Sequence, residues 1–162
     1  MSSTIEAGAF REAMSRFAAA VHIVTTDGAA GRRGVTVTSV ASVSDDPPTL
    51  LVCLNTSNAA NERFEANGCF AVNLLSADSE GLARAFAGEG GLTPEERFAK
   101  GIWGERATGS PVLEDALVSF DCRLIDSRIV ATHRVMIGEV QAIHLGPERP
   151  ALVYHARAYH RI

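Results

Sequence analysis

Apolar residues along this chain recur with two different periods, and the switch between them divides it into elements. Phe10, Met14, Phe17 and Val21 fall at helical intervals with Arg11, Glu12 and Arg16 opposite, and Ser3 and Glu6 have capping-box spacing, so an amphipathic helix is expected over about 5–20. From Val21 the period shortens. Val21–Thr26 is rich in β-branched residues and ends at Asp27-Gly28, a hairpin signal. Val35–Ser44 (VTVTSVASVS) then reads as one strand in which hydroxyl residues separate the valines, with a bulge near Ser39 where the alternation breaks. Pro47-Pro48 stops it. The continuous apolar run Leu50–Asn55 predicts a strand buried on both faces.

Ser57 is expected to cap a short helix ending at Asn67-Gly68, followed by a strand over Phe70–Leu75. Ser76 or Asp78 then caps a helix to about Phe86, Gly88, Gly90 and Gly91 open a loop, and Thr93-Pro94-Glu95-Glu96 starts one more short helix. Val112-Leu113, Leu117–Ile125, Val135–Leu145 and Ala151–Tyr159 supply the remaining strands. Four or more strands in succession without helical crossovers argue for an antiparallel sheet closing on itself. The expected fold is mainly β with peripheral helices, a small barrel in a single domain spanning 1–162, its barrel portion over about 21–160.

Composition narrows the function. The chain has 162 residues, with 15 Lys and Arg against 19 Asp and Glu for a net charge of −4, which disfavours nucleic acid as a partner. Cys53, Cys69 and Cys122 are odd in number, lack CxxC spacing and sit among apolar neighbours, as reduced cytoplasmic thiols do. Met1–Ala9 has no basic and apolar leader pattern, and no apolar run approaches membrane-span length, so no membrane partner is expected.

Motifs for several chemistries are missing. Ala87–Gly91 follows a helix instead of a strand and lacks GxGxxG spacing; there is no GxxxxGK[ST], GxSxG or HExxH. Of five histidines, His155 and His160 are the nearest pair, and a metal shared between them needs a turn in the intervening strand. The unusual feature is Thr36, Thr38, Ser39, Ser42 and Ser44, five hydroxyls in nine residues of an otherwise core-like strand. They suit either a wet strand face or an uncharged cradle for phosphate. Asn55, Ser57, Asn58 and Asn61 add neutral donors just downstream, and Arg32 and Arg33 add charge from the preceding loop.

The segment Gly34–Ser44, followed by Pro47-Pro48 and the strand to Leu54-Asn55, resembles the short-chain flavin reductase family, the reductase partners of two-component flavin monooxygenases. The likeness runs from about Phe10 to Ile162 and includes Ile23–Thr26, Phe70–Leu75, Phe98, Trp103, Leu117–Cys122, Thr132-His133, Gly138-Glu139-Val140 and Tyr159-His160. It is nearest to the reductases serving 4-hydroxyphenylacetate monooxygenases and the Rut pathway. The resemblance implies an FMN-binding split β-barrel, a homodimer that binds FMN or FAD, oxidises NADH or NADPH, and releases reduced flavin to a separate flavin-dependent monooxygenase.

By position, the resemblance assigns Thr36, Thr38, Ser39, Ser42, Ser44, Cys53, Asn55, Ser57 and Asn61 to the flavin and His133 and Tyr159 to the nicotinamide, with His133 as the catalytic-site histidine. Relatives carry Gly-Asp before that histidine, whereas Ala131-Thr132 stand here. A role needing a neighbouring carboxylate therefore does not carry over. The same fold also accommodates flavin or haem binding without turnover and oxidases with tightly held FMN, which stand as alternatives.

Overall fold

The computed structural model describes residues 4–162, so the expected Ser3 cap lies outside the described residues. The chain opens with α1 (Ala7–Met14), which is shorter than the pattern over 5–20 suggests. Its apolar residues do not reach the core: Phe10 is 60% exposed and Phe17, just beyond it, 64%. The helical period here marks a face without an intrachain partner.

Next come β1 (Ala19–Ala20), β2 (His22–Thr26), β3 (Arg33–Val37), β4 (Val40–Asp45) and β5 (Pro48–Asn55). A one-turn 3-10 segment leads into α2 (Glu62–Asn67), closed by Gly68 in the left-handed region, and then β6 (Cys69–Leu74). Two short helices, α3 (Glu80–Phe86) and α4 (Pro94–Phe98), flank the glycine loop. The chain finishes with β7 (Trp103–Gly104), β8 (Val112–Leu113), the long pair β9 (Val118–Val130) and β10 (His133–Leu145), and the hairpin β11 (Leu152–His155) and β12 (Ala158–Arg161). Thr93 caps α4 with a full capping box through Glu96, as its spacing predicts.

Seven strands form an antiparallel sheet in the order β3-β2-β6-β9-β10-β5-β4. It is not closed. The expected single strand over Val35–Ser44 is two strands, because Thr38 and Ser39 leave the ladder and carry the chain from one edge of the sheet to the other. The bulge falls later, where the β4–β5 register shifts between Ser42 and Ser44. The barrel is therefore split between β3 and β5, as the family resemblance implies.

Two apolar clusters fill the molecule. One packs Val21, Ile23, Leu75, Phe86 and Phe98 between β2 and the helices α3 and α4. The other gathers Val24, Val52, Leu54, Phe64, Phe70 and Met136, and is enclosed by the curved sheet. In β5 only Leu50, Val52 and Leu54 alternate into this second cluster; Leu51 and Cys53 are half-buried, so the strand expected to be buried on both faces is buried on one. Gly138 of β10 sits where a Cβ would overlap the Phe70 ring and Cys122, so the backbone there packs directly on the core.

Buried polar groups are nearly all tied. Asn73, fully buried, donates from Nδ2 to Ile23 O at 2.9 Å and accepts at Oδ1 from Leu113 N at 2.9 Å and Ser119 Oγ at 2.7 Å, joining β2, β6, β8 and β9. The helix starts differ from expectation. Asn58 replaces Ser57 as the cap after β5, its Oδ1 accepting from Ala60 N at 3.0 Å. Neither Ser76 nor Asp78 caps α3, and the Ser76 hydroxyl is buried without a partner.

Candidate functional site

The split in the barrel is a place where backbone is left over. β3 pairs only with β2, and β5 beyond Val52 pairs only with β10, because the β4 ladder on its other side ends at Val40–Val52. The gap-facing N–H and C=O groups of β3 therefore have no strand partner and are open to a ligand or water, whereas on β5 Cys53 N and O and Asn55 O are taken up locally by Ser39 and Asn61.

Side chains tie both ends of this gap. At one end Cys53 N donates to Ser39 O at 3.0 Å and Ser39 Oγ donates to Cys53 O at 2.9 Å. At the other, Asn61 Nδ2 donates to Asn55 O at 2.9 Å while its Oδ1 accepts from Arg33 Nε at 3.0 Å, linking β5 to β3 through one buried amide. Asn55 Oδ1 in turn accepts from Ser57 N at 2.8 Å, which shapes the loop leaving β5.

The five hydroxyls that share a spacing do not share an environment. Thr36 Oγ1 donates to Ala83 O of α3 at 2.6 Å, docking β3 on that helix. Thr38 and Ser39 are exposed at the crossing between the edges. Ser42 is exposed on β4, and Ser44 Oγ accepts from Asp46 N at 3.1 Å. Because Thr36 and Ser39 spend their protons on protein carbonyls, they meet a ligand as acceptors.

Three cavities border this region. One of about 230 Å³ is lined by Thr36, Val37, Thr38, Ala87, Tyr154 and Tyr159. A second, of about 440 Å³, shares Thr38 and Tyr154 and continues along Ser39 to Met14 and Phe17. A third, of about 290 Å³, opens beside Asn55, Asn58, Asn61 and Arg134. Tyr159 packs on Tyr154 with ring centres 5.1 Å apart, and the Arg84 guanidinium lies 4.9 Å from its ring centre, held between Glu80 at 2.7 Å and Glu89 at 3.3 Å. Burial raises the Tyr159 hydroxyl above its ordinary value, so this ring stays protonated at neutral pH.

The two residues assigned to the nicotinamide lie apart. His133 sits opposite Asn55 in the β10–β5 ladder, with Thr132 Oγ1 2.9 Å from its Nδ1, whereas Tyr159 lies on β12 against Tyr154. The structure brings Thr36, Thr38 and Tyr159 together, and Asn55, Asn61 and His133 together, on the two sides of the split. Cys53 lies between them, half-buried, its thiol pushed up by burial. His155 and His160 do meet across the β11–β12 turn, with rings 5.9 Å apart, but no third metal-binding side chain joins them among the described residues.

Comparison with known proteins places this architecture. The flavin reductase like domain profile matches residues 14–162. The FMN reductase (NADH) RutF of Variovorax paradoxus strain S110 is 51% identical over 154 residues, covering 94% of this chain and 84% of that protein. Among solved structures, a Haemophilus somnus 129PT protein assigned as a flavin reductase superposes with a TM-score of 0.92 at 44% identity, covering 98% of this chain and 100% of its own. BorF, the flavin reductase component of a bacterial two-component tryptophan halogenase, superposes with a TM-score of 0.88 at 30% identity, covering 97% and 98%.

Proposed function

The chain belongs to the flavin reductase like domain family, and from that premise we propose that it oxidises NADH and reduces FMN, releasing the reduced flavin to a separate flavin-dependent monooxygenase. The observation that carries this reading is the split between β3 and β5, where the unpaired outer edge of β3 runs beside neutral hydroxyl and amide side chains. Flavin binds and leaves repeatedly in such a cycle. Neutral groups hold it without the deep charge pairing that slows release.

When bound, the flavin supplies a ring that accepts hydride from the dihydronicotinamide. The chain's own task is to hold the two rings face to face and keep water out. Thr36, Thr38, Ser39 and Cys53, with the outer edge of β3, are assigned to the flavin ring, and Ser42 and Ser44 extend the hydroxyl row along β4. Asn55, Ser57 and Asn61 hold the polar tail of the flavin. Tyr159 covers the stacked rings from the α3 side, and His133 positions the nicotinamide by hydrogen bonding, since hydride transfer requires proximity and no protein nucleophile.

A second copy of the chain completes the assembly. Phe10 and Phe17 near α1 and Ile129 and Val130 at the tip of the β9–β10 ribbon are all more than half exposed, apolar positions that a homodimer would bury. Three free thiols suit a reducing cytoplasm. No helix among the described residues is long and apolar enough to cross a membrane.

Steady-state NADH oxidation with FMN, FAD or riboflavin added tests the reading. Flavin-dependent turnover with NADH preferred over NADPH is expected; a rate equal to the flavin-free blank sinks it.

A further inference from the structure

The tight turn between β9 and β10 is held from outside its own hairpin. Only Ala131 and Thr132 separate the two strands, and Ala131 takes a left-handed conformation (φ 52°), which a residue with a Cβ keeps only where its surroundings enforce it. The enforcement comes from the loop leaving β5. Thr56 N donates to Thr132 O at 3.0 Å and Thr56 Oγ1 donates to the same carbonyl at 2.9 Å, so one turn carbonyl takes two bonds from a single residue 76 positions away.

That anchoring fixes a side chain. Thr132 is β-branched, so a pinned backbone leaves its hydroxyl few places to stand. It stands 2.9 Å from Nδ1 of His133, and among the described residues no other side chain is bonded to that ring. With Nδ1 occupied, Nε2 is the nitrogen left to reach outward. A hydroxyl can give its proton to a bare ring nitrogen or accept one from an N–H, so Thr132 keeps the direction of the ring in either tautomer. His133 pairs with Asn55, and residues opposite each other on neighbouring strands share a sheet face, so the ring lies on the face of Asn55 and, a diagonal step of about 7–8 Å along β5, of Cys53 at the split.

We propose that Thr132, anchored by Thr56, is a positioning residue of the reductase: it aims His133 Nε2 at the carboxamide of the dihydronicotinamide and so sets the affinity for NADH. The inference rests on the flavin reductase reading, and within it on His133 as the group that meets the nicotinamide. Thr132 touches no reacting atom. Its effect passes through the ring, because a histidine free to turn loses rotational freedom on binding that a held one has already lost. Once the nicotinamide is seated against the flavin, hydride passes without help from either side chain, so the loss falls on nucleotide binding and not on the chemical step.

Thr132→Val keeps the shape of the side chain and removes the hydroxyl, and Thr132→Ser returns it. Thr132 is exposed, so neither change disturbs the core. With FMN saturating, KM for NADH is expected to rise about fivefold in Thr132→Val while kcat and KM for FMN stay within about twofold, and Thr132→Ser is expected to match the wild-type chain within the same margin. In a His133→Ala background, where KM for NADH is already raised, adding Thr132→Val should change nothing further, since the hydroxyl has no ring to hold. A raised KM in His133→Ala with a change below about twofold in Thr132→Val overturns the positioning role and leaves the reductase reading standing; so do equal losses in the Val and Ser variants. An unchanged KM in His133→Ala removes the histidine from the nicotinamide, and the proposal falls with it. Nitrogen NMR of the histidine-labelled, ligand-free chain reads the bond without turnover: the His133 Nδ1 resonance should move in Thr132→Val and return in Thr132→Ser, even in a preparation that reduces no flavin. A resonance that does not move overturns the proposal whatever the reductase assay gives.

Discussion

The two edges of the seven-stranded sheet are separated by only Thr38 and Ser39 in sequence, yet they are built in opposite ways. β3 is covered: Gly34 is buried against Phe86 and Phe98, Thr36 is bonded to α3, and Arg33 is bonded to Asn61. β4 is bare, with Ala41, Ser42 and Val43 exposed and a register shift between Ser42 and Ser44. Similar alternating valines and hydroxyls serve both. The difference lies in what arrives from elsewhere in the chain: α3 and α4 land on β3, and among the described residues nothing lands on β4. The edge with tertiary partners is where hydroxyls have structural duties, and the bare edge is protected by its bulge.

That contrast can be broken in order of expected effect. Acid sensitivity should belong to the β3 side. His22, opposite Val37 in the β2–β3 ladder, is lowered by burial from 6.5 to about 4. The unfolded chain takes up this proton first, so His22 contributes stability that is complete above about pH 6.5 and is lost as pH falls toward 4, at most about 3 kcal/mol. Urea unfolding at stepped pH checks this, and His22→Leu should flatten the dependence within that window.

Gly34→Val follows. An added Cβ would lie 2.6 Å from the Phe86 ring and 3.1 Å from Phe98, so thermal unfolding should show a loss of about 2 kcal/mol, within the usual 1–3 for overpacking. A two-carbon enlargement on the bare edge, Ala41→Val, should stay within about 0.5 kcal/mol. Equal costs at the two positions would erase the distinction between the edges.

Asn61→Ala removes the bridge between β5 and β3, leaving Asn55 O and Arg33 Nε without their partner, at a cost of about 1–2 kcal/mol. FMN titration followed by fluorescence should weaken in parallel, since the gap loses its tie. Smallest of all, Val43→Thr on the bulge of β4, where Val43 is 50% exposed, should alter the unfolding midpoint negligibly, within about 0.5 kcal/mol.

Much of the secondary structure was legible because its causes are local. The capping box at Thr93, the Gly68 terminus of α2 and the β-branched run of β2 need only nearest neighbours to explain them. The site was legible in part. The hydroxyl segment and Asn55–Asn61 do border the split, but their pattern could not say that Thr36 turns to a helix while Thr38 faces a cavity. Thr56 carried no signal at all. It lies 76 residues from Thr132, and only folding brings its hydroxyl onto that carbonyl.

The chain alone determined that strands dominate, where most of them lie, and that neutral donors cluster before and after Pro47-Pro48, because period, turn residues and side-chain chemistry act over a few residues. Only the tertiary structure decided that Val35–Ser44 is two edges of an open sheet, that α1 shows an apolar face to solvent, and that Thr56 meets Thr132. Those outcomes depend on which distant segments compete for the same surface, and a strand pairs with whichever edge the rest of the fold leaves free.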